Sequence, residues 1–245
     1  MIVDKKSLYS FLMMLKIEAL LAVRHGDMIL FGIVMPVGIM MLIGAVGDAK
    51  TASENFAGVA SIGICAAGLM GIPLTVASYR HEKILKRFKA TPVSPLLLLI
   101  SITALQTFFA WISGAGVYLT ARFMFGVTIE GSLFRYPGAF LFVQFSVYSI
   151  GFLIAAIVPD VKKANMVCVL LYFPMLILSG TTVPYSILPA AVQRFSDFFP
   201  LTQGIKILQG AVSGADIETD ISRFAILAGM AFAAYIVSLK TFRWE

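Results

Sequence analysis

Six stretches of this chain contain no aspartate, glutamate, lysine or arginine: Met28 to Gly47, Asn55 to Tyr79, Ala90 to Ala121, Tyr136 to Pro159, Ala164 to Gln193 and Phe224 to Leu239. A helix that crosses a bilayer needs roughly 20 mostly apolar residues. The first five stretches meet that length. The sixth reaches it when Thr241, Phe242 and Trp244 carry the helix through the interface and Lys240 snorkels. The chain is 59% hydrophobic and 13% charged, whereas about a quarter of residues are charged in soluble domains. The fold class expected is therefore an all-α membrane protein with six transmembrane helices.

Six spans put both termini on one side, and the basic residues choose which side. Lys5, Lys6, Lys16, Arg24, Arg80, Lys83, Lys86, Arg87, Lys89, Lys162, Lys163, Lys240 and Arg243 share one face. Only Lys50, Arg122, Arg135, Arg194, Lys206 and Arg223 fall on the other. Both ends are thus expected in the cytoplasm. The net charge of +6 then reflects topology and contact with anionic membrane lipid, and no nucleic-acid partner is expected. Lys16 and Glu18 interrupt the first apolar segment, which is no cleavable signal peptide. Leu8, Phe11, Leu12, Leu15 and Ala19 instead recur at helical spacing, as in a helix lying in the interface over 5–25. Cys65 and Cys168 lie inside spans with no second ligand at metal spacing, so neither a disulfide nor a metal site is implied.

Ionisable groups inside a bilayer normally mark catalysis or ion coupling, and the spans hold none at mid-depth. Their polar residues are neutral. Gln106, Gln144 and Asn165 are the candidate pathway residues, able either to contact cargo or to bond to neighbouring helices, and Ser113 is of the same kind. Gly63, Ala67 and Gly71 follow the small-xxx-small spacing that admits a close helix. Pro36, Pro73 and Pro174 sit where a missing donor can kink a span.

Against this background, seven ionisable side chains crowd the ten residues from Arg80 to Lys89. Ile84, Leu85 and Phe88 share a helical face, and Glu82 can pair with Lys86 one turn on. Thr91-Pro92 ends the segment, and Ser94-Pro95 opens the next helix. The stretch "YRHEKILKRFKATPVSP" resembles the cytoplasmic coupling-helix region of permeases of the ABC-2 type transporter family, with Glu82, Leu85, Arg87, Phe88, Thr91, Pro92, Val93 and Ser94 in the places of that pattern. The family often carries a second Glu and a Gly within the charged stretch, and "HEKILK" has neither. A second resemblance lies in "SGTTVPYSILPAAVQRFSDFFPLTQGIKILQG". There Pro184, Pro189 and Pro200, with Leu201 and Thr202, mark a candidate external re-entrant region. Leu188, Val192, Phe195 and Phe199 recur at helical spacing, as do Leu201, Ile205, Leu208 and Val212. Two short helices dipping into the outer leaflet satisfy both patterns, and a lid lying flat in the interface is the alternative.

The resemblance covers the whole chain as one domain. Spans are expected at 28–47, 55–79, 95–121, 136–159, 164–180 and 222–242, with an interfacial helix at 5–25, a coupling helix at 80–91 and the external helices within 185–213. No G-x-x-x-x-G-K-[ST] phosphate loop occurs in the sequence, so ATP hydrolysis is expected in a partner chain and the protein is not itself an enzyme. By resemblance, a second permease chain completes a dimer in a prokaryotic cell membrane, and separate ABC ATPase subunits, which bind the ATP and magnesium, dock through Glu82, Ile84, Leu85, Arg87, Phe88 and Thr91. No cofactor is expected on this chain. The resemblance favours export of a hydrophobic or amphipathic drug, antibiotic or peptide. Export of a lipid-linked glycan is the alternative within the family, and an ATP-independent channel or carrier the alternative outside it.

Overall fold

The computed structural model describes residues 5–89, 95–132, 134–182, 185, 188–215 and 221–242. Among them every regular element is a helix. Helix α1 (Lys5–His25) is followed by the short α2 (Asp27–Ile29), a π-helical stretch over Leu30–Val34, and α3 (Met35–Val46). A single long rod then comprises α4 (Ala49–Cys65), a second π-helical stretch over Ala66–Gly71, and α5 (Ile72–His81). After it come α6 (Ile84–Lys89), α7 (Pro95–Phe125), α8 (Arg135–Ile157), α9 (Val161–Leu178), α10 (Ala190–Ser196), α11 (Pro200–Ser213) and α12 (Ile221–Thr241). Among the described residues, five helices are long and apolar enough to cross a membrane: Ala49–His81, Leu96–Phe125, Arg135–Ile157, Val161–Leu178 and Ile221–Thr241. Leu30–Val46 is a shorter apolar helix.

Both π-helical stretches run directly into a proline, Pro36 at the start of α3 and Pro73 at the start of α5. A proline ring inside an α-helix strikes the carbonyl four residues earlier. The wider π turn moves that carbonyl aside, so the helical backbone continues through both prolines. Local sequence explains the rod's outer start as well. Asp48 caps α4, its Oδ1 accepting from the Thr51 amide and hydroxyl at 2.8 Å each. Those bonds hold the Asp48 carboxyl below its ordinary pKa.

The rod is the centre of the bundle, in contact with α3, α7, α8, α9 and α11. Small residues let the neighbours approach. A side chain at Gly63 would collide with Ser113 of α7, and one at Gly71 would lie 2.5 Å from the Gln106 amide. Gly151 of α8 is so close to the Gly68 carbonyl that no Cβ fits between them, and Tyr148 fills the space above Gly68. The sequence spacing Gly63, Ala67, Gly71 thus does face helices, and α8 meets the rod through Gly68. Helix α12 lies against α8, its Tyr235 hydroxyl donating to the Phe145 carbonyl at 3.0 Å and its Ser238 hydroxyl to the Phe152 carbonyl at 3.1 Å.

Candidate functional site

The charged cluster divides between two helices. Helix α5 runs through Arg80 and His81, and the amides of Glu82 and Lys83 close its last turn on Ser78 and Arg80. Lys83 then takes a left-handed backbone, φ 59°, a conformation that favours glycine. This is the segment in which the family pattern often carries a glycine. The turn interrupts the helix, so the segment expected as a coupling helix over 80–91 divides into the end of α5 and the separate α6, Ile84–Lys89, with residues 90 and 91 outside the described residues. It also undoes the expected pairing of Glu82 with Lys86. Glu82 is exposed and accepts instead from the Ser78 hydroxyl at 3.2 Å. Thr91 and the side chain of Phe88 lie outside the described residues.

Helix α6 is anchored through Leu85. Leu85 is fully buried with Met14 of α1, Val76 of α5, Leu98 and Ile102 of α7, and Ala155 of α8. Ile84 is half-buried, while Lys86 and Arg87 are exposed. Among the described side chains of α6, Leu85 is thus the buried anchor, and Lys86 and Arg87 turn a charged face away from the bundle. Nearby, the Tyr79 hydroxyl donates to Glu18 of α1 at 2.6 Å. Burial raises the Glu18 carboxyl above its ordinary pKa, and the Tyr79 bond offsets this in part.

In the sequence, Arg80 counts as one more positive-inside charge. It is only 8% exposed. Its guanidinium donates to the Val158 carbonyl and to the Ala155 carbonyl, both at 2.9 Å, and lies 5.7 Å from the centre of the Phe242 ring. These carbonyls end α8, where a helix lacks internal partners and its dipole favours a cation. Periodicity could not have shown this, because the partners are backbone atoms 75 and 78 residues away.

At the opposite end of the bundle, α11 buries Leu201, Ile205, Leu208 and Val212, as the helical spacing predicts, together with Pro200 and Thr202. It packs against α4, α8 and α12, with Gly204 against Val143. Hydroxyls tie it to the end of α9. Thr202 donates to Ser179 at 2.9 Å and lies 3.0 Å from the Ser196 hydroxyl, which donates to the Leu178 carbonyl at 2.6 Å. Asp197, between α10 and α11, pairs with Lys206 at 2.5 Å. Pro189 is exposed ahead of α10, and Pro184 lies outside the described residues.

The three candidate pathway residues do not converge on one surface. Gln144 is fully buried, accepting from the Trp111 indole at 3.1 Å and donating to the Tyr148 hydroxyl at 2.8 Å. Gln106 is buried with Oε1 unpartnered against Gly71. Asn165 is exposed on α9. A cavity of about 340 Å³ between α7 and α8 is walled by Trp111, Tyr118, Tyr136 and Phe140.

An all-helical bundle with a charged helix clipped between two apolar ones now meets a match that decides its class. The profile of the ABC-2 type transporter family matches residues 9–212. The chain belongs to the ABC-2 type transporter family. As an ABC-2 permease it is a transmembrane transporter subunit and not itself an enzyme. It is 24% identical over 180 residues to the inner membrane transport permease YhhJ of Escherichia coli (strain K12), covering 71% of this chain and 48% of that protein. It is 29% identical over 126 residues to nodulation protein J of Sinorhizobium fredii (strain NBRC 101917 / NGR234), covering 50% of this chain and 48% of that protein. The matched regions thus span about half the length of each relative. Within the permease, the matched residues run from α1 through α11 and include both segments whose resemblance was visible in the sequence.

Proposed function

We propose that this permease forms the translocation path of an ATP-driven exporter, with six spans, both ends in the cytoplasm, a second permease chain across the path, and separate ABC ATPase subunits beneath. The rod Ala49–His81 is the second span, Leu30–Val46 the first, and α10 with α11 re-enter from the outside. The observation that carries the reading is the mounting of α6: Leu85 is locked into a core shared by α1, α5, α7 and α8, while Lys86 and Arg87 face outward. An anchored helix with charges turned away from the bundle is suited to a partner's groove, where charge sets orientation and association rate. Glu82, Ile84, Arg87 and, by resemblance, Phe88 and Thr91 complete that face.

ATP and magnesium belong to the partner. Closure of the ATPase pair would push on α6 and, through the shared core, on the inner end of α5, a rigid-body route of the kind domain closure uses. The described spans carry no ionisable side chain at mid-depth, which suits a hydrophobic or amphipathic drug, antibiotic or peptide better than an ion. The aromatic walls of the cavity between α7 and α8 agree with that cargo class.

The test is co-purification from the native membrane in mild detergent, followed by ATP hydrolysis measurements. An ATPase should co-purify with the wild-type permease and be lost or weakened with Arg87→Glu, whose side chain is exposed and supports no packing. Flux through the permease alone in liposomes, without an ATPase, would instead identify a channel or carrier.

A further inference from the structure

We propose that Arg80 is a positioning residue that carries movement of the charged helix α6 into α8. The inference rests on the export reading and adds to it a specific route. Arg80 sits at the inner end of α5, two residues before the Glu82–Lys83 turn that leads into α6. Its two terminal nitrogens each hold one carbonyl of the last turn of α8 and its C-cap, Ala155 and Val158. Pro159 follows, so α8 cannot extend to satisfy those carbonyls itself.

The flat, always-charged guanidinium fork suits this two-point grip, whereas a lysine ammonium is a point charge on a flexible stem. The grip is also protected from water. Arg80 is 8% exposed, and its guanidinium lies over the Phe242 ring beyond the end of α12. One cationic group therefore joins the inner ends of α5, α8 and the segment that leaves α12.

Farther along, α8 remains in contact with the rod. Gly151 abuts the Gly68 carbonyl and Tyr148 covers Gly68, both at the π-helical stretch. Gln144, one turn beyond Tyr148, donates to its hydroxyl. Displacement of the α6 end would thus enter α8 at its C-terminus and travel along a helix already packed on the centre of the bundle. A purely structural cap would stabilise α8 with no response to nucleotide.

The experiment uses the permease with its co-purified ATPase in nanodiscs. Ile157, exposed in the last turn of α8, is changed to cysteine and labelled with an environment-sensitive bimane. Cys65 and Cys168 are fully buried and escape the label. Addition of ATP and vanadate should shift the bimane emission. The shift should vanish in Arg80→Gln and shrink in Arg80→Lys, while both complexes still hydrolyse ATP. Arg80→Lys retains the charge and keeps the test open if Arg80→Gln fails to fold. A shift that persists undiminished in either folded variant, with only a lower melting temperature, would overturn the proposal. So would a wild-type complex that hydrolyses ATP with no shift at Ile157. A preparation without any ATPase would bring down the export reading itself, an outcome distinct from both.

Discussion

The rod Ala49–His81 and helix α12 are both apolar enough to cross a membrane, yet 83% of the rod's most apolar 18 residues are buried within the protein and only 17% of those of α12. In water, such a difference would follow apolarity. In a bilayer, lipid tails are as apolar as leucine, and close backbone approach decides which helix is wrapped. The rod places Gly63, Gly68 and Gly71 against α7 and α8. Helix α12 turns Ile226, Phe232, Val237 and Leu239 outward, and a side chain at its Gly229 would meet open space.

The sharpest way to break this contrast is a matched pair of glycine substitutions. Gly151→Ala drives a methyl into the Gly68 carbonyl, so a loss of about 3 kcal/mol or more is expected, the upper part of the overpacking range. Gly229→Ala has room and should be neutral or stabilising by up to about 1 kcal/mol. Thermal unfolding in the same detergent measures both, and equal effects would erase the distinction between a wrapped helix and a lipid-facing one. Next in size is Gln144→Leu. It strands the Trp111 indole of α7 and removes a bond to the Tyr148 hydroxyl within α8, and an interhelical bond such as that of Trp111 is worth roughly 0.6 to 2 kcal/mol in membranes. An unfolding midpoint equal to wild type would remove polar bonding from the account of α7–α8 packing.

Smaller effects sharpen the inner end of the rod. Lys83 holds a left-handed backbone, so Lys83→Gly should stabilise by up to about 1 kcal/mol, while Lys83→Val should destabilise by about 1 to 2 kcal/mol. Opposite signs in the melting temperature check the geometry of the α5–α6 turn. The smallest expected effect is a pH slope. Burial raises the Glu18 pKa above its ordinary 4.5, so its neutral form is favoured in the folded protein. That stabilisation is complete below the unfolded value and is lost as pH rises through the folded one. Melting temperature should therefore drift down as pH increases from about 4.5, and Glu18→Gln should flatten the drift.

The patterns legible in the sequence were those written as repeats. Leu201, Ile205, Leu208 and Val212 line the buried face of α11, and five of the charge-free runs overlap the long apolar helices, although the run from Ala164 to Gln193 continues 15 residues past the end of its helix at Leu178. The span starting at Asn55 shows the limit. Its helix begins at Ala49, because Asp48 caps it and the charged Lys50 and Glu54 stay exposed. Arg80 marks another. Composition and topology explain a basic residue at a membrane edge equally well whether it faces lipid headgroups or caps α8, and only the fold brings Ala155 and Val158 to it. The π-helical stretches left just their prolines as a trace.

The rod's position in the chain sets a problem of timing. It is synthesised before α7, α8, α9 and α11, all of which pack on it. When the ribosome has completed Gly68, its later contacts Tyr148 and Gly151 are still some 80 residues from being made. At the 5 to 20 residues per second of ordinary translation, that is an interval of roughly 4 to 16 seconds. During it, the helix destined for the centre must wait with its glycine face turned to lipid or to the insertion machinery, and a slower ribosome between codons 82 and 148 would lengthen that wait.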